Sequence, residues 1–402
     1  MSFPRGEPIL PADVLSMIYG SCGLSLHDGL ALSSVTRVTR LVSLPFFFSR
    51  VRLTKTSESA LEHADQALFS AVRKISTGLT ASTKPGPAYF TVMLRLLPKF
   101  PNLYGLYLNP TFLPLSLLPA FLLSIKSLVS LRKLQLCLDT ESAPDLAGDE
   151  PPAGPPNLKM LFIIWGCWES KAITPDPITD ASGFLRALIE PSVSTLQDLR
   201  ITFEYEQSKT MSFDFGVLKG ARALRSFSLE SYGDNADLID EVLAGVLSPT
   251  VNALSLVWLS YPGKQPVFKE SFVASLAHLP NLATLTLGLD FEKDAKDTLC
   301  YDHDFEWYIR CLLRRLRATE LLAAACPALE TVVWQQTRID SEGNDMYHAF
   351  RVKDDSGGRA VKIVKDWWMQ DRYKDRWGGP LPDNIDDAPL DLMAISQCYG
   401  SF

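Results

Sequence analysis

The sequence is poor in the residues and motifs that most enzymes depend on. It has five histidines, and none of them belongs to a His-Glu-x-x-His zinc motif. It also lacks a Gly-x-Ser-x-Gly nucleophile turn, a Gly-x-x-x-x-Gly-Lys phosphate loop and a Gly-x-Gly-x-x-Gly dinucleotide loop. We therefore expect no catalytic residues, no cofactor and no bound metal, and we interpret the chain as a protein that is not an enzyme.

One titratable cluster could form a metal site and is the exception to that expectation. Its members are Cys300, Asp302, His303, Asp304 and Glu306. No second Cys or His pair lies at a spacing that would complete a metal site, so the cluster is interpreted as a solvated loop before a helix. An enzyme with an unrecognised site remains the alternative.

Cysteine usage and the N-terminus both favour an intracellular protein, in the cytoplasm, the nucleus or both. The seven cysteines are odd in number and include no Cys-x-x-Cys, which is typical of a reducing compartment. Residues 1–8 contain one Arg, one Glu and no apolar core, so no secretory signal is expected. The uncharged stretch between Lys99 and Lys126 is long enough to cross a membrane, but four prolines interrupt it. It is interpreted as a buried strand and a convex segment, with no membrane partner.

The balance of charge argues against nucleic acid as a partner. Lys and Arg number 39 and Asp and Glu number 46, which gives a net charge of −7. A protein that binds nucleic acid generally neutralises many phosphates and therefore carries excess positive charge. The hydrophobic fraction of 47% with 21% charged residues is instead typical of a folded, soluble chain.

What the sequence does contain is a short apolar pattern that recurs eight times. Each copy has an apolar residue, two variable residues, a second apolar residue, one variable residue and a third apolar residue. The copies are Leu103, Leu106, Leu108; Leu131, Leu134, Leu136; Leu158, Leu161, Ile163; Leu196, Leu199, Ile201; Leu224, Phe227, Leu229; Val251, Leu254, Leu256; Leu282, Leu285, Leu287; and Leu329, Val332, Trp334. The last two positions share one side of a strand, so each copy predicts a strand with one buried face.

The spacing of the copies predicts that these strands stack. Four of the steps between first apolar residues are 28, 27, 28 and 27 residues, and the other three are longer. Helices are predicted between strands at 181–189, 238–247, 269–279 and 305–325, and a further helix is predicted earlier at 58–75. Strands that alternate with helices imply parallel pairing and a repeat solenoid. Near the C-terminus, residues 349–352 and 360–364 flank a turn sequence and predict a hairpin.

The repeated pattern resembles a leucine-rich repeat. In that family an Asn or Cys follows the strand and satisfies the backbone of the turn. Here the equivalent positions are Thr111, Asp139, Gly166, Glu204, Tyr232, Leu259, Asp290 and Thr337. None is Asn or Cys, so the resemblance implies an irregular solenoid of the α/β class with parallel strands.

The first 50 or so residues resemble an F-box, a short helical module that binds a Skp-type adaptor. The matching order is a Leu-Pro, an apolar helix, a Leu-x-Leu, a Val and a basic residue, Arg37. The tryptophan expected four residues after the Val is Thr39. By resemblance, the adaptor-binding residues would be Leu10, Pro11, Val14, Leu15, Ile18, Leu30 and Val35. An N-terminal helical cap on the solenoid is the alternative interpretation of this segment.

Together these features predict three regions: an F-box-like helical unit at 1–55, irregular repeats at 56–345, and a hairpin, aromatic cap and acidic tail at 346–402. The two resemblances imply a substrate-recognition subunit of a cullin-type ubiquitin ligase, which holds an unidentified target protein on its repeats. The alternative is a repeat scaffold that binds proteins and has no ubiquitin role.

The target is expected on the concave face, which carries the residues that flank the inward positions of each strand. Three of them are of types that often anchor interfaces, and two neighbours were expected to widen an apolar patch. The predicted target-binding residues are Tyr107, Met160, Phe162, Ile164 and Arg200. Docking on convex loops is the alternative.

Overall fold

The structure is a computed structural model. It describes residues 31, 37–54, 61, 64, 66–77, 87–139, 152–166, 179–180, 182–203, 211–212, 215–231, 239, 242, 246–258, 266–291, 305–339, 345–355 and 358–364. The chain divides into two compact units, the first running to Phe162 and including Glu190–Ser192, and the second containing Ile163–Ile189 and Val193 onwards. The predicted region boundaries at 55 and 345 stay a prediction.

The first unit alternates short helices with parallel strands. Its helices are α1 (Arg37–Phe47), α2 (Gln66–Ala71), α3 (Pro87–Leu96) and α4 (Leu118–Lys126). Its strands are β1 (Arg50–Leu53), β2 (Lys74–Thr77), β3 (Gly105–Pro114), β4 (Lys133–Asp139) and the beginning of β5 (Met160–Gly166). These strands neighbour one another in chain order, and β1 to β4 pair in parallel. The β3–β4 register shifts between Tyr107 and Phe112, where Pro110 cannot donate a ladder hydrogen bond.

The second unit repeats this alternation and ends in a hairpin. Its helices are α5 (Ser182–Ile189), α6 (Glu270–Leu276) and α7 (Phe305–Ala325). Its main strands are β7 (Asp198–Phe203), β9 (Ser226–Ser231), β10 (Ala253–Trp258), β11 (Thr284–Gly288), β12 (Thr331–Ile339), β13 (Asp345–Asp355) and β14 (Gly358–Val364). β7 and β9 to β12 pair in parallel, whereas β13 and β14 pair antiparallel. A separate parallel pair joins β6 (Thr179–Asp180) to β8 (Met211–Ser212).

All eight predicted copies of the apolar pattern form strands with the predicted side buried. Every one of their 24 apolar residues is at most 2% exposed. Burying a side chain of this size contributes about 1.5–3 kcal/mol each, so the repeats hold the core of both units. The parallel pairing and the helices at 181–189, 269–279 and 305–325 are likewise confirmed. Most of the predicted helix at 238–247 lies outside the described residues.

The backbone shows that each strand begins in the same way. One carbonyl directly after the first apolar residue of a copy accepts hydrogen bonds from two successive N–H groups of the next copy. Arg132 and Lys133 donate to the Tyr104 carbonyl at 2.9 and 3.1 Å, and Ala283 and Thr284 donate to the Asn252 carbonyl at 2.8 and 2.9 Å. Because both donors share one acceptor, the start of each strand is fixed relative to its neighbour.

This backbone pattern identifies two repeats that the sequence reasoning missed. Arg73 and Lys74 donate to the Ser49 carbonyl, and Tyr104 and Gly105 donate to the Arg73 carbonyl. The first apolar residues of these copies are therefore Phe48 and Val72. The helix predicted at 58–75 is accordingly wrong at its end, since α2 stops at Ala71 and Ile75 lies in β2. The alternation in Lys-Ile-Ser-Thr, with Ile75 and Thr77 buried, has the period of a strand.

Amide side chains link successive repeats at the strand starts, although the family's Asn or Cys after the strand is missing. Asn102 donates from Nδ2 to the Ser70 carbonyl at 2.8 Å, Asn157 to the Val129 carbonyl at 3.1 Å, and Asn281 to the Pro249 carbonyl at 2.9 Å. In each case the acceptor lies two residues before the first apolar position of the preceding copy. These bonds satisfy loop carbonyls in the turns that lead into the strands.

The hairpin predicted near the C-terminus is formed by β13 and β14, and it closes the end of α7. Gly358 has a φ of 121°, which L side chains rarely adopt. Next to it, Arg359 donates to the carbonyls of Ala323 at 2.8 Å, Cys326 at 2.6 Å and Leu329. The guanidinium therefore supplies donors to carbonyls at and just after the C-terminal end of α7.

Among the helices of the described part, none combines the length and apolar character needed to cross a membrane. The uncharged stretch from Lys99 to Lys126 is divided between β3, short 3-10 turns and α4. This matches the predicted strand followed by an apolar, proline-interrupted segment.

Candidate functional site: the open faces of the repeat strands

The side of each strand opposite the core is left open, and its residues line up in register. In the first unit, Ser76 is opposite Tyr107, and Tyr107 is opposite Gln135. In the second unit, the row contains Arg200, Ser228, Ser255, Thr286 and Val333. The predicted row of flanking residues is therefore formed within each unit. Whether a target docks on these rows stays a prediction.

The first unit's open face is strongly basic. Arg50 is opposite Lys74, Lys74 is opposite Gly105, and Gly105 is opposite Lys133. Four more cations lie just before strands or on β1, and none of the seven forms an ion pair within the described part of the chain. We call this set the basic strip: Arg50, Arg52, Arg73, Lys74, Arg132, Lys133 and Lys159. All seven side chains are exposed or half-exposed, so their charges are available to a partner.

Tyrosine rings lie within the basic strip. Tyr104 precedes β3, between the equivalent positions Arg73 and Arg132 of the neighbouring strands, and is 39% exposed. The ring of Tyr107 folds back over Gly105, where an added Cβ would lie 2.9 Å from Tyr107 Cε2. Because Gly105 lies in register between Lys74 and Lys133 and has no side chain, the Tyr107 ring occupies the space that a side chain at Gly105 would fill.

Strand β5 supplies apolar surface, though less than predicted. Met160 is 38% exposed, and Phe162 is half-buried. Ile164, which was expected to widen this patch, is only 7% exposed, so that expectation is corrected. The alternation of β5 predicted that Ile164 would point outwards, but alternation determines direction and does not reveal what covers a side chain.

The open face of the second unit is different, because most of its side chains are small and neutral. Its one predicted anchor, Arg200, has a side chain that is 53% exposed and is paired with Glu230 at 2.9 Å. Thr202 also donates to the same carboxylate oxygen at 3.3 Å. Arg200 is therefore held in place by its neighbour on β9, and its charge is partly neutralised.

The core of the second unit contains a buried polar cluster that the sequence did not predict. Arg315 on α7 is fully buried, and its Nη2 lies 3.8 Å from Oδ1 of Asp290, which is 5% exposed. Its guanidinium carbon lies 5.2 Å from the ring centre of Phe291 and 6.0 Å from that of Trp334. Arg315 also donates to the Cys311 carbonyl at 3.1 Å. Asp290 occupies the position after the strand where the repeat family has Asn or Cys, so this carboxylate anchors the buried cation instead.

His348 on β13 belongs to the same buried region. It is 2% exposed and opposite Trp334 in the β12–β13 pairing. Burial lowers the pKa of His348 well below 6.5, and the positive charge of Arg315 acts in the same direction. The folded protein therefore holds this imidazole neutral, whereas the unfolded chain binds a proton below its ordinary pKa.

We expect stability to depend on pH through His348. Since the folded pKa is lowered, the contribution is complete above about pH 6.5 and is lost as the pH falls below that value. Urea unfolding of wild type between about pH 8 and pH 5 should show a falling free energy of unfolding, and His348→Gln should show a shallower fall. Equal slopes for the two proteins would contradict this prediction.

The predicted adaptor-binding residues lie outside the described residues, as do Cys300, Asp302, His303, Asp304 and the C-terminal aromatics. The side chain of Glu306 is likewise not described. In the part of the chain that the structure does describe, no group of three or more His, Cys, Asp or Glu residues could hold a metal ion.

The sequence reasoning missed the basic strip because it considered charge only over the whole chain. Residues 1–162 contain 15 Lys and Arg and 11 Asp and Glu, a net charge of +4, whereas residues 163–402 contain 24 and 35, a net charge of −11. Comparing the two halves would have revealed the asymmetry.

No family model matches the chain, and no curated protein matches it significantly. Among solved structures, the leucine-rich repeat-containing protein LegL7 from Legionella pneumophila is similar at 13% identity and a TM-score of 0.36. The similarity covers 83% of this chain and 100% of that one. The repeats are therefore defined by this chain's own strands, register and burial.

Proposed function

We propose that the chain is a non-catalytic protein-binding scaffold. The observation that carries this proposal is the contrast between the two sides of the repeat strands. One side is buried, with all 24 pattern residues at most 2% exposed, and the other presents ordered rows of exposed side chains. Stacked repeats create broad binding surfaces of this kind, and Tyr, Met and Arg are enriched in protein interfaces.

Within this proposal, the more specific function is that of a substrate-recognition subunit of a cullin-type ubiquitin ligase. Its support is the F-box resemblance of the first 50 or so residues, whose last part forms α1 and the beginning of β1. α1 leaves Leu41 47% and Phe46 40% exposed, which is apolar surface that a partner could cover. The repeats would hold the target while the adaptor and cullin bring the conjugating enzyme close to it, so the effect is one of local concentration.

The test is capture of purified Skp-type adaptor and cullin by the full-length chain. We expect Ile18→Asp to reduce adaptor capture by roughly a hundredfold, because a carboxylate would be forced into an apolar interface. The matched control is Leu123→Asp, which places the same charge on a residue of α4 that is 61% exposed. The control should capture the adaptor as wild type does.

Two outcomes would favour the alternative, a repeat scaffold without a ubiquitin role. One is that the wild-type chain captures no adaptor. The other is that Ile18→Asp captures adaptor as well as wild type, with urea unfolding of both proteins unchanged. In either case the scaffold function remains, and residues 8–53 would be interpreted as a helical cap.

A further inference from the structure

The basic strip is concentrated on a small part of the repeat array. Its members belong to β1, β2, β4 and β5 or to the residues directly before those strands, and Tyr104 and Gly105 hold the equivalent positions at β3. Lys74 on β2 and Lys133 on β4 are separated by one intervening strand, as are the equivalent residues Arg73 and Arg132. Neighbouring strands are about 4.8 Å apart, so each of these pairs places positive charges about 10 Å apart across the sheet.

A distance of this size matches the spacing of side chains along an extended peptide. In a polyproline II segment, which rises about 3.1 Å per residue with three residues per turn, every third side chain returns to the same face after about 9 Å. A segment that crosses the strands with a carboxylate at every third position would therefore meet Lys74 and then Lys133. The row of Arg73, Arg132 and Lys159 runs alongside and offers a second line of cations, two of them able to form bidentate pairs.

The surface between the cations is aromatic or apolar. The Tyr107 ring lies over Gly105, which is in register between Lys74 and Lys133. Tyr104 holds the position between Arg73 and Arg132, and Met160 continues the row at β5. A partner that matches this surface has apolar or aromatic residues between its carboxylates. Small inorganic anions would neutralise the cations of the basic strip, but they would leave the tyrosine rings exposed to solvent.

We propose that the basic strip binds an extended acidic segment of the target protein, with Asp or Glu at about every third position and apolar residues between them. This inference depends on the scaffold function proposed above, and it adds the chemistry of the partner. The cations of the basic strip favour a partner with carboxylates, and the tyrosines favour apolar or aromatic residues between those carboxylates.

Charge complementarity favours an acidic protein segment over nucleic acid. A nucleic acid carries phosphate charge along its whole length, and the net charge of −7 on the chain as a whole opposes association with such a polyanion. A short acidic segment places its charge only where the cations lie. Single-stranded nucleic acid also uses basic and aromatic surfaces, so the experiment includes it.

The test measures binding of a labelled peptide to the full-length chain by fluorescence anisotropy. The peptide has about 12 residues, which at about 3.1 Å per residue is enough to cross β1 to β5, with Glu at every third position and Leu or Phe between. A second peptide replaces each Glu by Gln, and a third probe is single-stranded oligodeoxythymidine. We expect the Glu peptide to bind at least roughly tenfold more tightly than the Gln peptide, and more tightly than the oligonucleotide.

The test variant is Lys74→Glu/Lys133→Glu, which reverses two half-exposed charges. It should weaken binding of the Glu peptide by roughly tenfold or more. The matched control, Lys353→Glu/Lys362→Glu, makes the same change on exposed residues of the hairpin in the other unit and should change binding less than about twofold. A third variant, Tyr104→Ala/Tyr107→Ala, should weaken binding while leaving its salt dependence unchanged.

The proposal is overturned if the Glu and Gln peptides bind equally, or if charge reversal has no more effect than the control. Tighter binding of oligodeoxythymidine that is lost in the same variant would assign the strip to nucleic acid instead. Failure of the scaffold function itself is a different result. It would be shown by proximity labelling in cells in which the wild-type chain labels no proteins above the level of an unrelated control protein.

Discussion

Arg315→Ala is expected to lower the free energy of unfolding by about 3–5 kcal/mol, because it leaves a buried carboxylate without its cation. Arg315 is fully buried, and Asp290 is 5% exposed at a distance of 3.8 Å. The substitution also removes contacts with the rings of Phe291 and Trp334. Urea unfolding at about pH 7.5, followed by circular dichroism and tryptophan fluorescence, measures the loss.

A double variant separates the charge from the packing. Asp290→Leu/Arg315→Met removes both charges but keeps apolar volume, so it should recover most of the stability lost in Arg315→Ala. If both variants are equally unstable, the stability comes from the shape and hydrogen bonds of the cluster and not from its charge pair. A loss below about 1 kcal/mol in Arg315→Ala would contradict the burial of the pair.

The repeat strands could be predicted from the sequence because their signal is local and periodic. Leu103, Leu106 and Leu108 determine a strand, its buried side and its neighbours' register by spacing alone. The boundaries of α7 were predicted for the same reason, since its apolar residues recur at helical spacing. The copies that begin at Phe48 and Val72 were missed because one carries Val51 and Leu53 within a basic segment, and the other ends in Thr77.

Contacts between side chains that are far apart in the sequence could not be predicted in this way. The stretch from Arg314 to Arg317 looks like a solvated basic helix face, yet Arg314 is 4% exposed and Arg315 fully buried. The acceptor, Asp290, lies at the end of β11, well before α7 in the chain. No spacing rule relates such a pair, because it depends on how α7 packs over that strand. The basic strip escaped notice for a similar reason, since its cations are brought together only by strand register.

Because each repeat strand buries only one side, the residues on its open side can vary without loss of stability. Residues that face the core contribute the burial energy, and residues between them contribute almost none, so the latter are free to vary with the partner. The first unit uses this freedom for cations and tyrosines, and the second for serine and threonine. Any partner specificity therefore lies in positions whose substitution leaves the fold intact.

Two neighbouring residues of β9 test this division directly. Leu229 is fully buried in the core, and Ser228 lies on the open face in register with Arg200 and Ser255. We expect Leu229→Ala to lower the free energy of unfolding by about 2–5 kcal/mol, since it removes buried apolar area and leaves a cavity. Ser228→Ala, the matched control, should change it by less than about 0.5 kcal/mol.

Urea unfolding of wild type, Leu229→Ala and Ser228→Ala measures these changes in stability. The m-value shows whether the same surface becomes exposed on unfolding of each protein. Because each repeat contacts its neighbours, the loss at Leu229 should spread to the adjacent strands β7 and β10 and appear as faster amide hydrogen exchange there. Similar losses for Leu229→Ala and Ser228→Ala would mean that both sides of β9 are packed, and the open face of the second unit would then be unavailable to a partner.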